Sequence, residues 1–268
     1  MPLPPELESV TEQAWRLMAA TPGHLTEREG RFLILMAACA PVSGTIVEIG
    51  SYKGKSTVGL AFVARHFALG RVVTVDPHTS PSITDPDEPG ESSFEVFRSS
   101  LARAGVAGDV EAHRAYSRDL ARGWDRPIRL LWIDGDHTYA GVKEDLDLFR
   151  AHLVPGAIIA LHDVLANFDG PVRVFAKDIL ASDDFGPAGL CGSIGWAQFR
   201  PDDGGAARFR RSRRRLARAA ARLIPWLRPG TQQRGLVRVG YNVCRALVPH
   251  HTRPAEAWTT AVRLDPET

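Results

Sequence analysis

Residues 45–57 read Thr-Ile-Val-Glu-Ile-Gly-Ser-Tyr-Lys-Gly-Lys-Ser-Thr, and this stretch decides the fold. Ile46, Val47 and Ile49 make a β-branched apolar run with an acid, Glu48, at its end. The chain then breaks into a loop bounded by Gly50 and Gly54 and passes into helix-favouring sequence, so the stretch predicts a strand, a tight turn and a helix start. Glycines in such a turn accept positive φ and let a ligand approach the backbone, and the free N–H groups of the helix start attract negative charge or lone pairs. The loop therefore suits a nucleotide-like ligand. A phosphate-binding P-loop needs G-x-x-x-x-G-K-[ST], and Gly50, Gly54, Lys55 and Ser56 fall one residue short of it. That deletion re-aims every N–H group of the loop, and Glu48 would repel a triphosphate. The dinucleotide pattern G-x-G-x-x-G fails as well, because Tyr52 stands where the second glycine must be. What remains is E-x-G-x-x-x-G, whose acid suits a ligand offering a cation or hydroxyls.

Outward from this stretch, strands and helices alternate. Upstream, residues 5–20 read as a helix, and Thr26-Glu-Arg-Glu29 is a capping-box pattern ahead of a second helix that Pro41 stops. These helices would serve equally as a cap, a dimer surface or a lid, and a homo-oligomer is left open. Downstream, residues 57–68 make a crossover helix and 72–75 a strand ending in Asp76-Pro77. Residues 78–91 form a polar loop rich in Pro, Ser, Thr and Asp, read as a lid or substrate contact. A helix over 94–105, a strand over 110–115 and a short helix over 117–124 follow. The strand 128–133 lacks alternation, the mark of burial on both faces. A helix over 141–153, a turn at Pro155-Gly156, a strand over 157–161, a helix over 171–182 and a strand over 194–199 complete the series; the last strand's partner is placed only near Leu190.

This order predicts an α/β fold with a doubly wound, mostly parallel sheet, whose ligands sit outside the carboxyl ends of the strands. Glu48, Asp76, Asp134, His162 and Asp163 all fall at such ends. At 268 residues the chain can bury a large core, and 44% hydrophobic and 24% charged content are ordinary for a globular protein. Three widely spaced cysteines argue against a disulfide framework or a paired-cysteine metal site, so a reducing cytoplasm is expected. The start MPLPPELESV lacks the pattern of a signal peptide, and no apolar run is long enough to span a bilayer.

The chain here resembles a known family. E-x-G-x-x-x-G is similar to the first motif of class I S-adenosylmethionine-dependent methyltransferases. Residues 130–164, LLWIDGDHTYAGVKEDLDLFRAHLVPGAIIALHDV, resemble one branch of it, with the pattern I-D-G-D-H-x-Y-x-x-V-x-x-D-L and then L-x-P-G-G-x-I-x-x-H-D. The glycine pair is Gly156-Ala157 here. The likeness covers about residues 45–165. Members of this branch are bacterial enzymes, many acting on sugars, glycans or natural products, and relatives place a divalent metal at the active site. The resemblance implies that S-adenosylmethionine is held by Glu48, Gly50, Ser51, Gly54, Asp76, Ser117 and Asp134. Asp76 would accept both ribose hydroxyls, or else merely stabilise its turn; Ser117 would contact adenine, cap a short helix, or do both.

Asp134, His162 and Asp163 match the family's metal ligands, with Asp136 a spare carboxylate. Relatives usually carry an acid or amide at the position of His162. Mg²⁺ prefers oxygen, so the imidazole moves the preference toward Mn²⁺, Fe²⁺ or Zn²⁺; a histidine bonded to a backbone carbonyl is the alternative. His137 lies where metal-dependent members keep a lysine or histidine near the acceptor hydroxyl, and an imidazole can take that proton at neutral pH. The expected activity is O-methylation of a small-molecule or glycan acceptor. Two other readings stay open: an ATPase or kinase, because Gly54-Lys-Ser and Leu130-Leu-Trp-Ile-Asp134 imitate its two nucleotide motifs, and a non-catalytic binding protein on the same fold.

The net charge of +2 hides an asymmetry. Residues 204–254 hold 13 arginines and no acid, leaving 20 basic against 31 acidic residues elsewhere, a net of −11. The chain accordingly divides into an N-terminal helical cap (1–44), a cofactor-binding domain (45–203) and an Arg-rich amphipathic extension (204–268). Within the extension, arginines at 211, 214, 215, 218 and 222 recur every three or four residues while Phe209, Leu216 and Leu223 line another side. Residues 208–228 read as a basic helix suited to an anionic membrane surface at the inner face. The alternative is that Leu216 and Leu223 pack on the sheet domain; nucleic acid is the least favoured partner.

Overall fold

The computed structural model describes residues 3–79, 92–201, 204–227, 234–251 and 253–264; most of the polar loop expected over 78–91 lies outside them. Two helices, α1 (Leu7–Ala19) and α2 (Glu27–Cys39), precede strand β1 (Thr45–Ile49). The capping box of α2 is formed: Glu29 N–H donates to the Thr26 hydroxyl, and Thr26 N–H returns to the Glu29 carboxylate at 3.0 Å. The quoted stretch continues from β1 through its turn into α3 (Lys55–His66), and β2 (Val72–Val75) follows. Next come α4 (Ser93–Arg103), β3 (Val110–His113), the short α5 (Ser117–Ala121), β4 (Ile128–Ile133), α6 (Tyr139–Arg150) and β5 (Leu153–Leu161). The chain ends its sheet with α7 (Asp169–Val174), prolonged by a wide helical turn over Phe175–Ile179, then β6 (Phe185–Cys191) and β7 (Ile194–Phe199).

The seven strands form one sheet in the order β3-β2-β1-β4-β5-β7-β6. The first five pair in parallel, and β7 lies antiparallel between β5 and β6. The strand sought near Leu190 is therefore β6. Strand order reverses between β1 and β4, which opens a crevice at their carboxyl ends. One expected boundary moves: β5 starts at Leu153, where a helix end was expected, and runs through Pro155 and Gly156. Its pairing with β4 shifts between Leu153 and Ile158, so the irregularity absorbs a proline that lacks a ladder donor.

The extension is part of this body. Its helix α8 (Gly204–Ala221) buries Leu216 and Ala220, with Leu223 just beyond, in the apolar core on one side of the sheet, and Ala206 is buried as well. Arg213, 1% exposed, donates to the carbonyls of Ser182, Phe185 and Ala206. Two more helices, α9 (Gly235–Ala246) and α10 (Ala255–Val262), follow. From α10, Trp258 is fully buried against Phe32 and Trp196, with ring centroids 6.1 and 5.6 Å apart. Gln198 of β7 ties the end of α10 down through the Val262 carbonyl at 2.6 Å. Leu216 and Leu223, the side chains assigned to lipid in the membrane reading of 208–228, pack into the protein's own core, as the alternative supposed. Among the described residues, no helix is long and apolar enough to cross a membrane.

Candidate active site

The loop after β1 is shaped by what surrounds it. Gly50 has φ 88°, and a Cβ there would fall on the Asp134 carbonyl. Only glycine lets β1 and β4 end this close, with Asp134 N–H bonded to the Ile49 carbonyl at 2.8 Å. Tyr52, which blocked the dinucleotide pattern, itself takes φ 45°, a left-handed conformation costly for a side chain of its size. Its N–H is fixed by Asp76 Oδ2 at 2.8 Å, and Asp76 Oδ1 accepts from His78 N–H at 2.7 Å. His78 and Asp163 also have positive φ, so non-glycine strain gathers around this crevice.

Two expected cofactor residues stand behind the crevice. Glu48 is 0% exposed and does not line it. Its Oε2 accepts the Thr57 hydroxyl at 2.5 Å, while Oε1 has no hydrogen-bond partner among the described residues. Burial, resisted by hydroxyls of Ser56, Thr57 and Thr74, pushes its carboxyl up to about 7. Glu48 therefore pins the first turn of α3 rather than reaching a ligand, because β1 is covered on both faces. Gly54 precedes α3 with φ 93° and shapes the turn without lining the crevice. The P-loop mimic is undone in the same way: Lys55 Nζ donates to the Gly23 carbonyl at 3.3 Å, and Ser56 is buried beside Glu48.

A cavity of about 680 Å³ fills the crevice, and Gly50, Ser51, Asp76, Ser117, Asp134, Asp136, His137, His162 and Asp163 all line it. Sequence reasoning missed three contributors. Residues 22–25, between α1 and α2, form a wall, with His24 stacked on Tyr52 at 5.9 Å. Asp145 of α6, beside Ser117, is buried, and burial drives its carboxyl up to about 7. It was in plain view within the V-x-x-D-L pattern, but helix periodicity alone gave it no role. Phe168 stacks on the His137 ring with centroids 4.1 Å apart.

At the end of the cavity lies a cluster of acids and imidazoles. His137 Nε2 is 3.0 Å from Asp163 Oδ2, and His162 Nδ1 is 3.1 Å from Asp134 Oδ1 and 3.4 Å from Asp163 Oδ1. The far nitrogen of His162 is buried without a hydrogen bond, 3.9 Å from Glu29 Oε2. Glu29 is the fourth missed residue: besides its cap, it accepts Ser193 N–H and hydroxyl, each at 2.7 Å. Burial would raise its pKa, but His162, Thr26 and Ser193 hold it well below the carboxylate range. Burial would likewise lower His162, yet Asp134 and Asp163 outweigh it and hold the imidazole well above its ordinary range. Asp163 is held far down by the same two histidines against its burial. The alternative of a carbonyl-bonded His162 is not what the structure shows: its ring meets carboxylates instead.

Asp134, His162 and Asp163 each offer a ligand atom, all within 4.8 Å of one another. The set fits a divalent ion: two carboxylate oxygens and an imidazole nitrogen converge. One nitrogen among the ligands suits Mn²⁺ better than Mg²⁺.

Residues 47–164 match a protein family described as a methyltransferase domain. Among solved structures, the chain is similar to a Klebsiella pneumoniae protein provisionally named an O-methyltransferase, at 23% identity over 75% of this chain and 92% of that one, with a TM-score of 0.51. It is also similar to TomG, an O-methyltransferase from Streptomyces achromogenes involved in tomaymycin synthesis and solved with S-adenosylmethionine, at 23% identity over 74% and 90% of the two chains, TM-score 0.50. At this identity the likeness establishes the fold, which is that of the class I methyltransferases.

Proposed function

We propose that this chain transfers a methyl group from S-adenosylmethionine to a hydroxyl of a small-molecule or glycan acceptor. The observation that carries this reading is a cavity bounded by the Gly50 loop and Asp76 on one side and by the His137–Asp163 pair on the other, inside a matched methyltransferase domain. When bound, the cofactor supplies a sulfonium-activated methyl group and leaves as the neutral thioether. Asp76 gives one lone pair of each oxygen to the loop, to Tyr52 and His78 N–H, and keeps others for a pair of ribose hydroxyls. Ser117 and Asp145, which line the same cavity beside each other, offer polar groups for adenine.

His137 takes the acceptor proton as the new carbon–oxygen bond forms. Asp163, bonded to Nε2, fixes the ring's orientation, and Phe168 stacked on one face limits its rotation. A divalent ion held by Asp134, His162 and Asp163 would lower the acceptor's pKa.

Calorimetry with S-adenosylhomocysteine and, separately, with Mg-ATP tests the reading. The first should bind and the second should not. Asp76→Ala should weaken the first by about 1.5–3 kcal/mol, the cost of losing charge-assisted hydrogen bonds. Binding of Mg-ATP alone would replace this proposal with a nucleotide-hydrolysing one.

A further inference from the structure

A second cavity, of about 520 Å³, adjoins the first. His24, His162 and Asp163 line both, so the two meet at the acid–imidazole cluster. The far wall of the second cavity belongs to the Arg-rich extension: Arg238, Tyr241, Asn242 and Arg245 all lie on it. Spaced three and four residues apart, they share one face of α9. Tyr241 is buried and bolts that face to the domain, its hydroxyl donating to the carbonyls of Leu165 at 2.6 Å and Ala166 at 2.8 Å.

The docking is inverted relative to an ordinary surface helix. Leu236, Val239, Val243 and Leu247 occupy the opposite face and are exposed, Leu236 by 86%. A helix that turns its apolar side outward and its arginine-bearing side to a cavity, with Arg245 half-buried and Arg238 exposed, is using the arginines. Among the described residues, neither Arg238 nor Arg245 pairs with a carboxylate, and Arg245 Nε is buried with no hydrogen-bond partner. Two acids share the cavity, yet both are already committed: Glu29 to Thr26 and Ser193, and Asp163 to His137 and His162. Among the described residues, two guanidinium groups thus border a space large enough for a small molecule, next to the proposed base, and neither is paired with the two carboxylates that also line it.

We propose that this second cavity is the acceptor subsite, and that the acceptor is a phosphate-bearing hydroxyl compound, its phosphate or diphosphate held by Arg238 and Arg245 and its hydroxyl directed at the His137–Asp163 pair. Guanidinium groups match phosphate oxygens two by two, which gives register as well as affinity. The proposal rests on the methyltransferase reading for the role of the bound molecule, but the anion site stands on the arginines alone.

The test titrates inorganic pyrophosphate into the full chain saturated with S-adenosylhomocysteine, in metal-free buffer. Wild type should bind it. Arg238→Ala/Arg245→Ala should lose at least about tenfold in pyrophosphate affinity with unchanged affinity for S-adenosylhomocysteine. That retained affinity reports an intact fold, and Arg238→Ala alone, at an exposed residue, should lose part of the binding. The control Arg211→Ala/Arg215→Ala removes the same charge from the exposed side of α8 and should change nothing. No pyrophosphate binding by wild type, or equal loss in variant and control, overturns the subsite. Failure of wild type to bind S-adenosylhomocysteine overturns the methyltransferase reading instead, whatever pyrophosphate does. Sedimentation with phosphatidic acid vesicles but not phosphatidylcholine ones, dependent on Arg238 and Arg245, would put the phosphate on a lipid. Without such sedimentation the phosphate belongs to a soluble ester, and either result upholds the site.

Discussion

Glu48→Gln should stabilise this protein increasingly as pH rises. The folded state holds the Glu48 carboxyl at about 7 against an ordinary value of 4.5, so between these limits the folded chain keeps a proton that the unfolded chain gives up. Such a group destabilises progressively as pH climbs through that window and by a constant amount above it. The gap of about 2.5 units corresponds to about 3 kcal/mol. Glutamine does not titrate, so the stability difference between variant and wild type should grow by about 3 kcal/mol from pH 4.5 to pH 8. Any fixed offset from exchanging an oxygen for an amide next to Thr57 cancels in that comparison, as does the raised carboxyl of Asp145, present in both proteins. Urea denaturation at several pH values measures it directly. In thermal melts the same change amounts to roughly 6–12 °C, at about 2–4 °C per kcal/mol for a chain of this size. S-adenosylhomocysteine affinity should persist in the variant, since Glu48 does not line the cavity. A difference that stays flat with pH would mean that Glu48 ionises in the folded state as it does in water, and the account of a dry, half-paired carboxyl under the loop would be wrong.

Three further outcomes are expected. His137→Ala should lower turnover by about 10²–10⁴-fold while leaving S-adenosylhomocysteine affinity unchanged, because the ring's task is the acceptor proton; calorimetry beside a steady-state assay separates the two. Mn²⁺ should raise the melting temperature of wild type more than Mg²⁺ does, and Asp134→Asn should abolish the rise; no shift with either ion would leave the cluster as a proton-bonded network. Trp258→Ala should cost about 3–5 kcal/mol in denaturant unfolding, as for a large side chain in a packed core; a cost below about 1 kcal/mol would detach the extension from the fold.

The parts of this molecule legible in the sequence are those whose cause is local. β1, β2 and β4 are dictated by short β-branched and apolar runs, each interrupted by one polar residue within it (Glu48, Thr74, Arg129), and Gly50 by a backbone approach that no side chain tolerates. The acids at strand ends could be ordered because a parallel sheet brings its carboxyl ends together whatever the loops do. Burial of a polar group was not legible in the same way. Glu48 looks like a ligand-facing acid in one dimension, yet its side chain leaves β1 on a face covered by α3, and only the packed layer reveals it. Glu29 was visible as a helix cap, whereas its bonds to Ser193 and its approach to His162 join segments far apart in the chain.

The extension carries the sharpest version of this limit. Its arginines suggested an arm held apart from an acidic domain, since charge runs usually favour solvent. Periodicity established that Leu216 and Leu223 share a side but could not say what covers it. In the folded chain the opposite charges of the two segments meet: Arg210 pairs with Asp183 at 2.9 Å, and Arg213 reaches both that acid and the carbonyls at the edge of the sheet. Once α8 and α10 are anchored, α9 has no freedom to present its apolar side to the core, because Tyr241 fixes it with the arginines facing the acid–imidazole cluster. The +13 segment thus supplies positive charge beside a site whose own strand ends are acidic, and in doing so makes that site able to hold a negatively charged partner that the sheet domain alone would repel.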